Sequence, residues 1–440
     1  MADVYGRLTG KAGVCLSTLG PGATNLITGM ADANSDGAPL VAITGQLGTD
    51  KMHLTSHQYL DLEALFKPIT KRTKMIMRPE SVNEIVRLAF EYAESEKPGA
   101  THINLPEDIA KEEVPEGVAR KFITTAPKNK EYADIESIEH AAAAIFQAEH
   151  PVILAGHSAV RAKASKALTE FAPIKWNLKD DHKIIHIDSR PSHVNKLYQP
   201  VTEVIGDISD SLEKIGNRCH RTKEPEQALA IKRQMSKEHE QYENDMAYPV
   251  KPQKILCDIR SVMGKEDILV SDVGAHKMWI SRHYNCYEPN TCLISNGFAT
   301  MGIAVPGSIA AKMLYSERKV LAVTGDGGFM MNCQEIETAV RMHVPIVVLV
   351  MRDDSYGLIK WKQDDRFGNH CFVDFTNPDF VKMAESMHAV GLRVDKTEDL
   401  KDVLEQAFAS GKVCIIDCPV DYAENTKLTE HLKQMIAELE

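Results

Sequence analysis

Residues 319–361, KVLAVTGDGGFMMNCQEIETAVRMHVPIVVLVMRDDSYGLIKW, hold the pattern that decides the fold class of this 440-residue chain. The apolar run Val320–Val323 predicts one buried strand, and Pro345–Met351 predicts a second one. Between them lie a glycine-rich turn at Gly325–Gly328 and apolar residues at helical spacing. Because strands that alternate with helices build parallel sheets, this stretch predicts an α/β fold.

Each of the two predicted strands is followed by an acidic residue. Asp326 follows the first strand, and Asp353 follows the second strand about 27 residues later. Parallel strands present their carboxyl ends to one crevice, so the two carboxylates should converge there. Carboxylates, main-chain oxygens and glycine amides suit a hard cation that holds a diphosphate. A GDG triplet standing alone would indicate only a turn, and its place between two buried strands favours a site.

This spacing resembles the motif of thiamine-diphosphate enzymes, in which Asn or Asp follows GDG at the same distance. The resemblance implies that Asp326 and Asp353 bind Mg²⁺ through their side chains and Ser355 through its carbonyl. Met301 would wedge beneath the cofactor, the alternative being that it only packs a helix start. The other residues that the resemblance assigns to the cofactor in this part of the chain are Gly274, His276, Ala299, Gly325, Gly327, Gly328 and Tyr356.

The beginning of the chain, MADVYGRLTGKAGVCLSTLGPGATNLITGMADANSDGAPLVAITGQ, resembles the pyrimidine-binding domain of acetolactate synthases. By that likeness Gln46 is catalytic and faces the cofactor and substrate, and Pro21 and Asn25 line the pyrimidine pocket. An equally good interpretation of Asn25 is a residue in the first turn of a helix predicted over Ala23–Ala33. No acidic residue follows the strand predicted at Pro39–Thr44, which argues against a nicotinamide-binding fold.

The next segment, HLTSHQYLDLEALFKPITK, is similar to the catabolic, acetoin-pathway branch of that family. His57, Gln58 and Asp61 match its pattern, together with the Leu65-Phe66 pair. A zinc site made by His53 and His57 on one helix face is the alternative, and it lacks a Glu between them and a third ligand.

One residue that the family uses has no counterpart in this chain. The family carries a Glu just upstream of the segment that begins here, and its carboxylate shares a proton with the cofactor. We therefore expect either that Met1 is an internal methionine taken as the start or that the protein is truncated. The alternative function is then a catalytically impaired remnant that still binds thiamine diphosphate.

The middle of the chain resembles the Rossmann-like domain of the same family at both of its ends. PVILAGHSAV opens it and KIIHIDSRPSHVNKLYQPVTEVIGDIS closes it, with an apparent joint at 170–172. We expect the strands between them to be missing, which also makes FAD an unlikely cofactor. Ser158 in GHSAV resembles the nucleophile of a G-x-S-x-G elbow, and a plain strand-to-helix turn is the favoured interpretation.

Composition limits the partners and the location of the protein. A formal net charge of −11 argues against a nucleic-acid partner. No apolar run reaches the ~18 residues that span a bilayer, so a membrane partner is not expected. Nine cysteines, an odd number, predict reduced thiols and a cytoplasmic protein.

The resemblance implies two parallel-sheet domains that flank an incomplete middle domain with a linker helix at 126–245. Residues 1–125 would form the pyrimidine-binding domain, without its first strand and helix, and residues 246–440 the diphosphate-binding domain. The resemblance implies an acetolactate synthase that needs thiamine diphosphate and Mg²⁺, decarboxylates pyruvate and joins the product to a second pyruvate. It also implies a homodimer or homotetramer. Another thiamine-diphosphate-dependent 2-oxo acid decarboxylase is the rival within the class.

Overall fold

A computed structural model of the chain describes residues 1–53, 55–114, 131–148, 152–153, 156, 183–192, 199–219, 229, 233, 236–237 and 240–428. These residues form an α/β structure with three parallel sheets. Ser158 and the expected joint at 170–172 lie outside the described residues. None of the helices in the described ranges combines the length and the apolar character that a membrane span requires.

The N-terminal sheet has four parallel strands in the order β1-β2-β4-β3. They are β1 (Gly13–Ser17), β2 (Leu40–Gln46), β3 (Arg72–Met75) and β4 (Ala100–Pro106). The helices of this part are Ala2–Thr9, Pro21–Thr24, Ile27–Ser35, Leu62–Phe66 and Val82–Glu94.

The prediction of one continuous helix over Ala23–Ala33 was wrong, because the structure has two helices there. The first helix ends at Thr24, and the Leu26 amide donates to the Ala23 carbonyl only three residues back. Strand β3 went unpredicted because its residues are polar and half-exposed, without an apolar run.

The central sheet has two described strands, β5 (Ile184–Asp188) and β6 (Pro200–Ile205), which pair in parallel. Two helices, Ile135–Gln147 and Ile208–Gly216, pack together on this sheet. Each begins at an aspartate, Asp134 or Asp207, whose side chain accepts a backbone N–H of the first turn and caps the helix.

The C-terminal sheet has six parallel strands in the order β11-β12-β10-β9-β7-β8. They are β7 (Ile268–Ser271), β8 (Cys292–Ile294), β9 (Val320–Gly325), β10 (Val347–Arg352), β11 (Val390–Arg393) and β12 (Cys414–Pro419). The helices are Pro252–Val262, Ala275–His283, Ala304–Leu314, Asp326–Asn332, Glu335–Arg341, Gly357–Phe367, Phe380–Ser386 and Leu400–Ala409.

The central strands β9 and β10 of this sheet are mostly apolar because both of their faces are covered. In β9, Leu321 and Val323 pack into one core cluster, and Ala322 between them packs into the other. The same alternation divides β10, where Leu349 belongs to the first cluster and Val348 to the second. Strands that are buried on both faces read as continuous apolar runs, which is why the sequence predicted β9 and β10.

The prediction of a turn at Gly325–Gly328 was wrong. Gly325 is the last residue of β9, and a helix begins directly at Asp326. Gly325 has an extended conformation (φ −77°, ψ 164°), so the chain passes from strand to helix at one residue. Asp326 therefore occupies the first turn of a helix at the carboxyl end of the sheet.

Candidate active site

The predicted convergence of Asp326 and Asp353 is confirmed by the geometry at the ends of β9 and β10. These strands are parallel neighbours with Met351 opposite Gly325, so the next residues of both strands meet. The backbone amides of Asp353 and Asp354 donate to Asp326 Oδ2 at 3.3 and 2.7 Å. Asp354 has a left-handed conformation (φ 54°), which turns the chain back toward Asp326.

Burial raises the pKa values of both carboxylates in this pair. The Asp326 side chain is 1 % exposed, and burial raises its pKa. Burial and then the charge of Asp326 raise the pKa of Asp353 to about 7. A bound cation relieves the repulsion between a buried and a half-buried carboxylate, so the donor set fits a hard divalent ion.

A cation at this position would need backbone oxygen ligands in addition to the carboxylates. Within the described ranges, no group of three or more His, Cys, Asp or Glu side chains could hold a metal ion. Ser355 is buried next to the pair, and its hydroxyl donates to Asp353 Oδ2 at 2.8 Å. Ser355 is therefore close enough to belong to the same site.

Gly327 brings three of the predicted residues together. A Cβ at this position would lie 3.0 Å from Tyr356 Cε1 and 3.6 Å from Met301 Cε. The absence of a side chain thus lets Tyr356 and Met301 pack against the first turn of the helix. Tyr356 also contacts Phe375, with the ring centroids 4.9 Å apart.

His276 lies between two other predicted glycines. A Cβ at Gly274 would lie 2.8 Å from His276 Cε1, and a Cβ at Gly325 would lie 3.5 Å from the same atom. The side chain is buried, and burial lowers its pKa to about 4, so the ring is neutral. Its Nε2 has no hydrogen-bond partner among the residues that the structure describes. Because an unpaired buried polar atom costs about 1–3 kcal/mol, a polar ligand fits this place.

Asp272 holds the loop that carries Ala299 and Met301, and the sequence reasoning missed this role. Its carboxylate accepts the backbone N–H groups of Gly302 at 2.8 Å and Ala304 at 3.1 Å. Asp272 directly follows β7, as Asp326 follows β9. Applying the same strand-end rule to β7 could therefore have found it.

The same loop is also held from the N-terminal part of the chain. Asp36 accepts the backbone N–H groups of Asn296, at 3.0 Å, and of Gly297. The Ser295 hydroxyl donates to Asp32 at 2.5 Å. Both aspartates also pair with Arg7, at 2.7 and 2.8 Å. Carboxylates from two parts of the chain thus fix the loop on opposite sides.

The predicted site residues of the N-terminal part belong to a different sheet from Asp326 and Asp353. Pro21 begins a helix after β1, and Asn25 is exposed just beyond that helix. Gln46 ends β2 and is buried, with its amide donating to the Leu60 carbonyl at 2.9 Å and accepting the Leu47 N–H at 3.0 Å. Both ends of the Gln46 amide therefore hold the segment that follows β2.

The two histidines of the zinc alternative do not share a helix face. The described residues around them form a short 3-10 turn at Thr49–Lys51 and bends, and His53 Nδ1 lies 3.0 Å from the Thr55 hydroxyl. The regular i, i+4 geometry that the pair would need is not formed.

Both the C-terminal and the N-terminal part of the chain match a known protein family. Residues 272–418 match the family described as thiamine pyrophosphate enzyme, C-terminal TPP binding domain, and residues 1–65 match its N-terminal TPP binding domain. The first match contains Asp272, His276, Met301, Asp326 and Asp353.

Several relatives cover nearly the whole chain, and three of them follow. An acetolactate synthase of Bacillus subtilis (strain 168) is 34% identical over 97% of this chain and 85% of its own length. A catabolic acetolactate synthase of Raoultella terrigena is 30% identical over 99% and 89%. A probable acetolactate synthase large subunit of Methanococcus aeolicus is 29% identical over 96% and 83%. The chain belongs to the thiamine pyrophosphate enzyme family, and acetolactate synthases are among its relatives.

Proposed function

We propose that this chain is an acetolactate synthase, which converts two molecules of pyruvate into 2-acetolactate and CO₂. The observation that carries the proposal is the pair formed by the buried Asp326 and the half-buried Asp353 at the ends of β9 and β10. Two relatives that are 34% and 30% identical to this chain are named acetolactate synthases, which also supports the proposal. Thiamine diphosphate supplies the electron sink that decarboxylation of a 2-oxo acid requires.

The residues around the pair have distinct tasks in this proposal. Asp326 and Asp353 hold Mg²⁺ by their carboxylates, and Ser355 does so by its carbonyl. The glycines Gly325, Gly327 and Gly328 leave room for the side chains that pack around the backbone to which the diphosphate would bind. Tyr356 and Met301 pack at Gly327 and shape the wall of the cofactor pocket.

Gln46, Pro21 and Asn25 act from the N-terminal sheet. In the family the site lies between the pyrimidine-binding domain of one subunit and the diphosphate-binding domain of its partner. We therefore propose at least a homodimer, in which these three residues face the Asp326 group of the other copy. A mass measurement in solution that gives a monomer at working concentration would contradict this assembly.

The catabolic type is proposed from the segment that follows β2, and the cytoplasmic location is proposed from the nine cysteines. Asp61 accepts the Ala64 N–H at 3.0 Å and caps the helix Leu62–Phe66, while Phe66 is fully buried. These two residues of the pattern thus have structural tasks. Leu65 also packs against the core of the N-terminal sheet, so the exposed His57 and Gln58 are the residues of the pattern that remain for a substrate.

The test is an assay of the purified chain with pyruvate, thiamine diphosphate and Mg²⁺. We expect release of CO₂ and formation of 2-acetolactate, and loss of both in Asp326→Asn and Asp353→Asn. Asp402→Asn, an exposed carboxylate on the helix Leu400–Ala409, is the control and should retain activity.

The alternatives give different results in the same assay. Cofactor binding without turnover would favour the impaired remnant. Decarboxylation without 2-acetolactate, or a preference for another 2-oxo acid, would favour a different decarboxylase of the family.

A further inference from the structure

Asn377 lies in a segment that pairs with the loop after β10, which carries Asp353 and Asp354. The Tyr356 N–H donates to the Val373 carbonyl at 2.9 Å, and the Phe375 N–H donates to the Asp354 carbonyl at 3.0 Å. Ser355 and Asp374 form an isolated antiparallel bridge. This short ladder brings Asn377 next to Asp326, which is 51 residues earlier in the sequence.

The side-chain amide of Asn377 joins two carboxylates. Its Nδ2 donates to Asp326 Oδ2 and to Asp354 Oδ1, in both cases at 2.8 Å. An amide nitrogen carries two hydrogens, so both bonds can form at once. The opposite orientation would place the amide oxygen against two carboxylate oxygens, which fixes the orientation of the group. The amide oxygen itself is buried without a hydrogen-bond partner in the described part of the chain.

The two carboxylate oxygens of Asp326 accept different numbers of hydrogen bonds. Oδ2 accepts three donors, namely the N–H groups of Asp353 and Asp354 and the Asn377 amide. Among the residues that the structure describes, Oδ1 accepts a hydrogen bond only from the Gly327 N–H, at 2.8 Å. A carboxylate oxygen accepts about two bonds, so Oδ2 is saturated and Oδ1 keeps capacity for a cation.

We propose that Asn377 is a positioning residue of the cation site, which holds the Asp326 carboxylate in the orientation that leaves Oδ1 available to Mg²⁺. The proposal rests on the proposed function, because it takes Asp326 as a ligand of the cation. Asn377 contributes two donors without adding a charge beside three aspartates. Neighbours that orient a metal ligand typically change metal affinity by about 10- to 100-fold when they are mutated.

The test is calorimetric titration of Mg²⁺ into the metal-free full-length chain in the presence of thiamine diphosphate. Asn377→Ala should raise the dissociation constant of Mg²⁺ by about 10- to 100-fold. Asn377→Leu, which nearly preserves the volume, should have the same effect. Asn369→Ala is the matched control, since Asn369 is exposed in the same segment, and it should bind Mg²⁺ like the wild type.

A second measurement separates positioning from a role in folding. Acetolactate formation by Asn377→Ala should recover when Mg²⁺ is raised above the new dissociation constant, with the KM for pyruvate unchanged. An unaltered Mg²⁺ affinity in both variants would overturn the inference, and so would loss of the folded state in both. Wild-type chain that binds Mg²⁺ but forms no acetolactate would refute the proposed function alone, because the Mg²⁺ affinities still decide the role of Asn377.

Discussion

At the scale of single residues, burial decides which side chains are charged. His102 is fully enclosed on β4, where its ring stacks on Phe66 with centroids 4.2 Å apart. Its two nitrogens lie 2.8 Å from the Thr44 hydroxyl and 2.7 Å from the Thr73 hydroxyl. Hydroxyls can donate or accept, so the hydrogen bonds allow either charge state. Burial is the cause that lowers the pKa of His102 to about 4.

The first prediction is a loss of stability in mild acid. The unfolded chain gains a proton on His102 near pH 6.5, and the folded chain gains it only near pH 4. The stability that His102 contributes is therefore present above pH 6.5 and is lost as the pH falls from 6.5 to 4. The loss is about 3 kcal/mol. Chemical denaturation at several pH values should show a smaller decline over this interval in His102→Gln than in the wild type, and equal declines would contradict the prediction.

The second prediction concerns the close packing at Gly328. A Cβ there would lie 2.9 Å from Asp272 Oδ1 and 2.9 Å from Thr324 Oγ1. Asp272 is fixed by its own hydrogen bonds and cannot easily move. Gly328→Ala should lower the free energy of unfolding by about 1–3 kcal/mol, as overpacking does. Gly29→Ala is the control, because open space surrounds Gly29 in a helix, and its thermal midpoint should stay or rise.

At the scale of elements, the loop 295–302 depends on residues outside itself. It connects β8 to the helix Ala304–Leu314, and it includes two positive-φ residues, Ala299 (φ 57°) and Gly302 (φ 87°). A Cβ at Gly297 would clash with Asp36 and with Ser35 Cβ, so the N-terminal part packs directly on its backbone. Fixed contacts on both sides compensate for the strained conformation of Ala299, whereas Gly302 adopts its positive φ without strain.

The third prediction follows from this arrangement. Asp36→Ala removes the acceptor for the Asn296 and Gly297 N–H groups and should free the loop from the N-terminal side. Hydrogen bonds to a charged group are worth about 1.5–3 kcal/mol each. Hydrogen–deuterium exchange should therefore become faster in a peptide that covers residues 295–302. Asp50→Ala, at an exposed position, should leave that exchange rate unchanged, and an unchanged rate in Asp36→Ala would be against the prediction.

At the scale of the whole molecule, one buried guanidinium joins the N-terminal and C-terminal parts. The Arg7 side chain is 5 % exposed and pairs with Asp3, Asp32 and Asp36 at 2.6, 2.8 and 2.7 Å. It also donates to the Ile294 carbonyl at the end of β8, at 3.3 Å. Burial raises the pKa of Asp32 to about 6, so this carboxylate depends strongly on its partners.

The fourth prediction is that removal of Arg7 destabilises the molecule far more than removal of an exposed arginine. Arg7→Ala leaves buried carboxylates without their cation and should cost about 3–5 kcal/mol. The control is Arg87→Ala, whose exposed pair with Glu91 is worth at most about 1 kcal/mol. Denaturation of both variants gives the comparison. Similar losses in the two would show that the buried network does not hold the parts together.

Local pattern was enough to predict the two central strands of the C-terminal sheet, β9 and β10. The apolar runs at β9 and β10 are long enough to be recognised, because both faces of these strands are covered. The carboxylates that follow them were placed correctly by the rule for parallel strand ends. By contrast, β3 and β11 have half-exposed residues and no such run, and they were missed.

By itself, the sequence determined the α/β class, the parallel β9–β10 pair and the meeting of Asp326 with Asp353, because these depend on periodicity and on residues at strand ends. Tertiary structure alone decided the strand order, the Arg7 network and the amide bridge from Asn377 to Asp326 and Asp354. The physical reason is sequence distance. Asn377 meets Asp326 only after a separate segment pairs with the turn at Ser355, and no local pattern encodes that encounter.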